Sequence, residues 1–247
     1  MVSVLIFLLE ILLTSLLVWW LHSASRGEKI PSSFIAELLV AGAIAALIAG
    51  VFELNYGLHS EAIRRIAPQL AAAHPTALLG LNYTVVAVIE EVAKYCAALF
   101  LITRSRSLGR LSDAIFYMVV IGLGFSLIED ALFLLNPNID APYRLFSFYL
   151  HSGTSAVLGY GFARFTFKLW KYPQLLASLV TAVILHLAYN VFTSLNNHIL
   201  GFMLSLSLTV VVSILVFILY RRTVLLEFHL ERISKPPRRH RLLNIED

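Results

Sequence analysis

The chain has 247 residues, of which 59% are hydrophobic and only 14% are charged, with a formal net charge of +4. A soluble domain of this length carries about a quarter of charged residues, so the composition excludes a soluble globular protein and indicates an integral membrane protein. The single cysteine, Cys96, excludes a disulfide framework and a thiolate metal cluster.

Seven apolar windows approach the roughly twenty residues that are needed to cross the hydrocarbon of a bilayer. They lie at about 2–21, 34–54, 82–103, 114–135, 144–165, 175–195 and 200–220. All eight prolines lie outside these windows, as expected if each window is an uninterrupted helix. The sequence therefore predicts an all-α, polytopic membrane protein with about seven transmembrane helices.

Lysine and arginine residues are divided unevenly between the two sides of the predicted membrane. Fifteen of the nineteen lie on the side of the carboxyl-terminal tail, three lie on the other side, and Lys94 lies inside a window. Because cytoplasmic loops are enriched in these residues, we expect the amino terminus outside and the carboxyl terminus in the cytoplasm. The expected organisation is a multi-pass domain over 1–220 in the cell membrane and a basic cytoplasmic tail over 221–247. Such a tail is typical of contact with the lipid surface, and no nucleic-acid partner is expected.

The second window carries small residues at four-residue spacing. Gly42, Ala46 and Gly50 share one helix face, and small side chains let a neighbouring helix approach closely in a membrane. We expect this face to serve helix packing.

The third window contains the segment VVAVIEEVAKYCAALFLI, which carries Glu90, Glu91 and Lys94 near its middle. A charged side chain at the centre of a bilayer costs at least about 2.5 kcal/mol on insertion scales, so these three residues indicate a functional site. Further polar residues lie in the next three windows: Glu129, Asp130, His151, His186 and Asn190.

Helical spacing and depth both bring these polar residues together. Residues four apart share a helix face; the pairs are Glu90 with Lys94, Phe125 with Glu129, and His186 with Asn190. At about 1.5 Å rise per residue, the carboxylates and histidines lie roughly 9 to 14 Å below the outer surface. Four consecutive helices thus place ionisable groups in one layer, which predicts a shared wet cavity.

The chemistry of this set suits amide hydrolysis, which needs a positioned water, a base, donors for the oxyanion and an acid for the leaving amine. We assign Glu90 or Glu91 as the base. Glu129 and His151 would orient the water, while His186 and Asn190 would donate hydrogen bonds to the oxyanion. Lys94 would neutralise one carboxylate of the pair. Buried carboxylates and histidines also occur in proton-coupled transporters, and this alternative stays open.

The order of the motifs resembles the PrsW family of intramembrane proteases. The motifs are EExxK at Glu90, Glu91 and Lys94, then GFSLIED with FxxxE at Phe125 and Glu129, the histidine span at His151, and HxxxN at His186 and Asn190. The resemblance covers about 80–195, which would be the catalytic core. It implies site-one cleavage of a single-span membrane protein, such as an anti-sigma factor, near the outer face.

A related branch, the CAAX prenyl endopeptidases, is the other alternative. That branch would have arginine at position 95, which is Tyr95 here, and histidine at position 129, which is Glu129. Both departures favour the PrsW branch. The resemblance leaves two mechanisms open: glutamate-activated water with no cofactor, which we favour, or a single Zn²⁺ bound by Glu129, His151 and His186.

Overall fold

The computed structural model describes residues 2–24, 30–66, 75–104, 108–134 and 141–234. Within these ranges the chain forms seven α-helices and no strand. In chain order they are α1 (Val2–Ala24), α2 (Ser32–Ile66), α3 (Pro75–Arg104), α4 (Leu111–Phe133), α5 (Ala141–Thr166), α6 (Tyr172–Thr193) and α7 (His198–Ser234). The predicted all-α fold is confirmed, and each predicted window coincides with one helix.

Four of the described helices contain a segment that is long and apolar enough to cross a membrane. These segments are Ser32–Leu58, Leu111–Phe133, Tyr172–Thr193 and His198–Arg232, and α1 contributes a shorter apolar stretch, Val4–Trp19. Helices α3 and α5 are long enough to cross a membrane but carry polar residues in their apolar stretches, among them Glu90, Glu91 and Lys94 in α3 and His151 in α5. Composition thus supports a membrane protein, while the number of seven crossings stays a prediction.

Helices α4 and α5 lie at the centre of the bundle, and both contribute fully buried apolar side chains. Tyr117 and Met118 of α4 are fully buried, and Leu158 of α5 packs in the same cluster. Leu38 of α2 completes the cluster, and the Phe34 ring contacts the Tyr117 ring edge-on with 5.1 Å between centroids. This apolar cluster holds α2, α4 and α5 in fixed register.

Small residues let α2 and α4 approach each other closely. A Cβ atom at Gly42 would collide with the backbone carbonyl of Ile121, and Ala46 is buried beside Phe125. By contrast, nothing lies within 4 Å of the position that a Cβ atom at Gly50 would take. The predicted packing face is therefore correct for Gly42 and Ala46 and wrong for Gly50. Each four-residue step turns about 40° round a helix, so Gly50 lies about 80° from Gly42, and Ala49 packs in the cluster instead.

The last helix continues beyond the predicted end of the membrane domain at residue 220. Helix α7 runs to Ser234, and residues 235–247 of the predicted tail lie outside the described residues. The Ser112 backbone N–H and Oγ donate to the Glu227 carboxylate, at 2.6 and 3.1 Å. A carboxylate at the amino terminus of a helix is stabilised by the helix dipole, so the extension of α7 packs against the start of α4.

Candidate active site

The charged residues of α3 form a buried ion pair. Lys94 Nζ donates to Glu91 Oε1 at 2.6 Å, and both side chains are completely buried. Their three-residue separation places them on one face of the helix. Because a buried charge without its partner is strongly destabilising, each of these residues holds the other in place.

Glu91 Oε1 is the meeting point of three helices. Besides Lys94 of α3, it accepts hydrogen bonds from Thr154 Oγ1 of α5 at 3.1 Å and from His186 Nδ1 of α6 at 2.8 Å. A carboxylate can only accept, so the His186 proton lies on Nδ1 and the lone pair lies on Nε2. Glu91 therefore fixes the orientation and the tautomer of His186.

Glu90 lies one residue earlier on α3, about 100° round the helix, and its carboxylate faces the space between the two histidines. Its Oε2 is 3.6 Å from His186 Nε2 and 3.8 Å from His151 Nδ1. These separations exceed a hydrogen bond. Within the described part of the chain, this buried oxygen has no hydrogen-bond partner. Glu90 thus presents an oxygen to the interior of the cluster.

His151 joins the ion pair to the carboxylate of α4. Its Nδ1 lies 3.1 Å from Lys94 Nζ, and its Nε2 lies 2.6 Å from Glu129 Oε2. The Phe125 ring packs against both neighbours, 5.3 Å from the His151 ring and 4.9 Å from Lys94 Nζ. The Glu129 side chain is 21% exposed, whereas that of Glu90 is 5% exposed, so the cluster opens towards Glu129.

Two residues of the predicted set lie apart from this network. Asn190 is half-buried one turn beyond His186, and among the described residues no hydrogen bond joins its side-chain amide to the cluster. Asp130 is buried and accepts a hydrogen bond from Ser126 Oγ at 3.1 Å. Asp130 and Glu129 lie about 100° apart round α4. Ser126 and Asp130 are both in α4, so their hydrogen bond joins two residues of the same helix.

Two residues of the site were missed in the sequence. Thr154 of α5 lies 3.3 Å from the His151 carbonyl oxygen and also donates a hydrogen bond to Glu91. The Glu53 side chain of α2 lies within hydrogen-bonding reach of Glu90. The three-residue spacing from His151 could have indicated Thr154. No comparable spacing links Glu53 to another helix.

The cluster also offers ligands for a metal ion. One ligand atom from each of Glu90, His151 and His186 lies within 4.8 Å of the other two, and all three residues are buried. One carboxylate and two imidazoles are a ligand set that zinc takes at catalytic sites, and ligand atoms around tetrahedral zinc are about 3.3 Å apart. The sequence assigned Glu129 to this set. In the structure Glu90 faces both histidines, and Glu129 Oε2 lies within hydrogen-bonding distance of His151 Nε2.

Buried carboxylates and imidazoles from four helices define a membrane-embedded site of the kind found in hydrolases. A comparison with protein-family models matches residues 30–220 to PrsW-protease, described as PrsW family intramembrane metalloprotease. The match covers well over half of the chain, which therefore belongs to this family. Comparisons with curated proteins and with solved structures gave no match. The resemblance drawn from the motifs is confirmed, and the chain is an intramembrane protease by family.

Proposed function

We propose that the protein cleaves a single-span membrane protein, of the anti-sigma-factor type, near the outer face of the cell membrane. The observation that carries this proposal is the Glu90 carboxylate, whose buried Oε2 lies between His151 and His186 without a hydrogen-bond partner in the described residues. A buried carboxylate beside two imidazoles can accept a proton from water and return it to a leaving amine. Family membership supports the same conclusion.

The two neighbouring glutamates, Glu90 and Glu91, have different roles. Glu91 accepts three hydrogen bonds at Oε1 and acts as the anchor that holds Lys94 and His186. Glu90 acts as the base, because its free oxygen faces the cluster interior. The order of the motifs leaves the choice between the two glutamates open, and their contacts favour Glu90.

The proton has a short route away from the attacking water. Glu90 removes it, and His186 Nε2, 3.6 Å away with its lone pair facing Glu90, is placed to receive it and to pass it to the leaving amine when the C–N bond breaks. A protonated His186 can donate a hydrogen bond to the oxyanion, and Asn190 lies one turn further along the same face of α6 to assist. Glu129, at the opening of the cluster, contacts His151 and would orient the water.

A metal ion fits the same cluster, so we keep a metal-assisted form of the reaction beside the metal-free form. Glu90, His151 and His186 would hold the ion. A bound zinc ion would supply a Lewis acid that polarises the peptide carbonyl and acidifies water. In either form Glu91 orients His186 through the hydrogen bond at Nδ1.

The proposal includes a membrane topology. We propose seven crossings, with the amino terminus outside and the carboxyl terminus in the cytoplasm, supported by the uneven distribution of lysine and arginine. In this topology the carboxyl end of α4, which carries Glu129, lies near the outer face. The cluster opens at Glu129, so a substrate helix would meet the site close to its own outer end.

The test is cleavage of a single-span anti-sigma factor, tagged at both ends, by the purified protein in liposomes. We expect two fragments, with the cut located by mass spectrometry near the outer end of the substrate helix. Glu90→Gln should lower the cleavage rate by about 10²- to 10⁴-fold, the usual contribution of a general base. Glu61→Gln is the matched control, because Glu61 is 54% exposed and pairs with the exposed Arg65.

Two results would contradict the proposal. Undiminished cleavage by the Glu90→Gln variant would exclude Glu90 as the base. A cut near the cytoplasmic end of the substrate helix would contradict the proposed orientation.

A further inference from the structure

Both ring nitrogens of His151 already have partners inside the protein. Lys94 Nζ lies 3.1 Å from Nδ1, and Glu129 Oε2 lies 2.6 Å from Nε2. An ammonium group only donates and an ionised carboxylate only accepts. Nδ1 therefore carries the lone pair of the neutral ring, and that lone pair points at Lys94.

The two histidines are thus prepared differently for a metal ion. His186 donates from Nδ1 to Glu91, which leaves the lone pair of Nε2 facing Glu90 Oε2. This is the arrangement in which a carboxylate orients a metal-binding histidine. The lone pair of His151, by contrast, is directed at a fully buried ammonium group. Glu90 Oε2 and His186 Nε2 are therefore available to a metal ion, whereas the lone pair of His151 Nδ1 already contacts Lys94.

We propose that the Lys94 ammonium and a divalent metal ion are alternative occupants of the His151 lone pair, so that Lys94 keeps the metal out of this site. A nitrogen lone pair serves one partner at a time, and a zinc ion at about 2.0 Å from Nδ1 would lie on the same side as Nζ. The positive charge of Lys94 adds electrostatic repulsion, which is strong in a buried site. Lys94 thereby sets the balance between the metal-free and metal-assisted forms.

The proposal deepens the proposed function, because it concerns the same cluster, but its test does not depend on peptide cleavage. The purified protein in detergent is titrated with Co²⁺, whose visible absorption reports coordination, and then with Zn²⁺ in competition. The variants are Lys94→Met and the double variant Glu91→Gln with Lys94→Met. The double variant removes one positive and one negative charge, so the net charge of the cluster stays the same.

We expect Lys94→Met to bind Co²⁺ about tenfold or more tightly than the unaltered protein, the lower end of the scale on which groups that contact a metal ligand alter affinity. The double variant should also bind more tightly, because the glutamine amide oxygen at position 91 can still accept the hydrogen bond from His186 Nδ1. Adding His151→Gln to the double variant should abolish this gain, because the released lone pair is removed. Lys168→Met is the matched control, since Lys168 is exposed and distant in sequence from the cluster. Size-exclusion chromatography tests whether each variant remains folded. If Lys94→Met does not fold, the double variant, which keeps the net charge of the cluster, still tests the proposal.

Equal Co²⁺ affinity in the unaltered protein and the double variant would overturn the proposal, as would weaker affinity or no binding in the double variant. A gain that survives His151→Gln would also overturn it. These outcomes are independent of the cleavage assay. Loss of cleavage in Glu90→Gln with equal metal affinities would support the proposed function and reject the role of Lys94.

Discussion

Helices α4 and α5 meet through apolar side chains in one half of the bundle and through charged side chains in the other. In the apolar half, Tyr117 and Met118 of α4 pack against Leu158 of α5. In the polar half, Glu129 of α4 lies 2.6 Å from His151 of α5. The interacting residues of both halves are largely buried, so burial alone does not distinguish them.

The difference lies in how specific each set of contacts must be. Apolar contacts are non-directional, so a core of similar volume would serve as well. In the polar half the contacts are directional, and Lys94, Glu91 and His186 depend on one another. The apolar half therefore sets the positions of the helices, and the polar half holds the ionisable side chains in a defined arrangement.

The largest effect should follow from removing one charge of the buried pair. Glu91→Gln leaves the Lys94 ammonium without its carboxylate in a fully buried site. We expect a loss of about 3 to 5 kcal/mol in the free energy of unfolding, measured by denaturant titration in detergent. The corresponding change at the surface, Glu61→Gln, should cost less than about 1 kcal/mol because Glu61 and Arg65 are exposed. Similar losses in both variants would show that burial of the pair contributes little.

An intermediate effect should follow from separating the helices in the apolar half. A methyl group at Gly42 would collide with the backbone of Ile121, which cannot rotate away as a side chain would. Gly42→Ala should therefore lower the free energy of unfolding by about 1 to 3 kcal/mol, the usual range for overpacking. Gly50→Ala is the matched control on the same helix, and open space around Gly50 predicts no loss. Equal stability of the two variants would mean that α2 and α4 tolerate a wider separation.

Much of the fold could be predicted from the sequence because membrane helices obey a simple length and hydropathy rule. The rule located all seven helices of the described residues, and the predicted bounds of α4 and α6 are within about three residues of the observed ones. It does not say how two helices approach each other. Gly50 illustrates this, because its spacing matches that of Gly42 while its surroundings are open.

The site was predictable where its residues repeat at helical spacing and unpredictable where contacts cross between helices. Glu91 and Lys94 are three residues apart, and their pairing follows from the helix. The contact between Glu53 and Glu90 joins α2 to α3, and the rotation of one helix relative to the other decides it. For the same reason the sequence could not decide which of Glu90 and Glu91 faces the histidines with a free oxygen.

The smallest effect should come from the hydroxyl group that donates to Glu91. Thr154→Val keeps the shape of the side chain and removes the hydroxyl that donates to Glu91 Oε1 at 3.1 Å. Lys94 and His186 still bind that oxygen, so we expect a loss of only about 1 kcal/mol in the free energy of unfolding. Thr154→Ser, which retains the hydroxyl, should recover most of the loss. Thr181→Val is the control, because the Thr181 hydroxyl is exposed and donates to the Ala177 carbonyl of its own helix. If Thr154→Val were as stable as the unaltered protein, Lys94 and His186 alone would hold Glu91, and the hydroxyl donor would add nothing to the stability of the polar half.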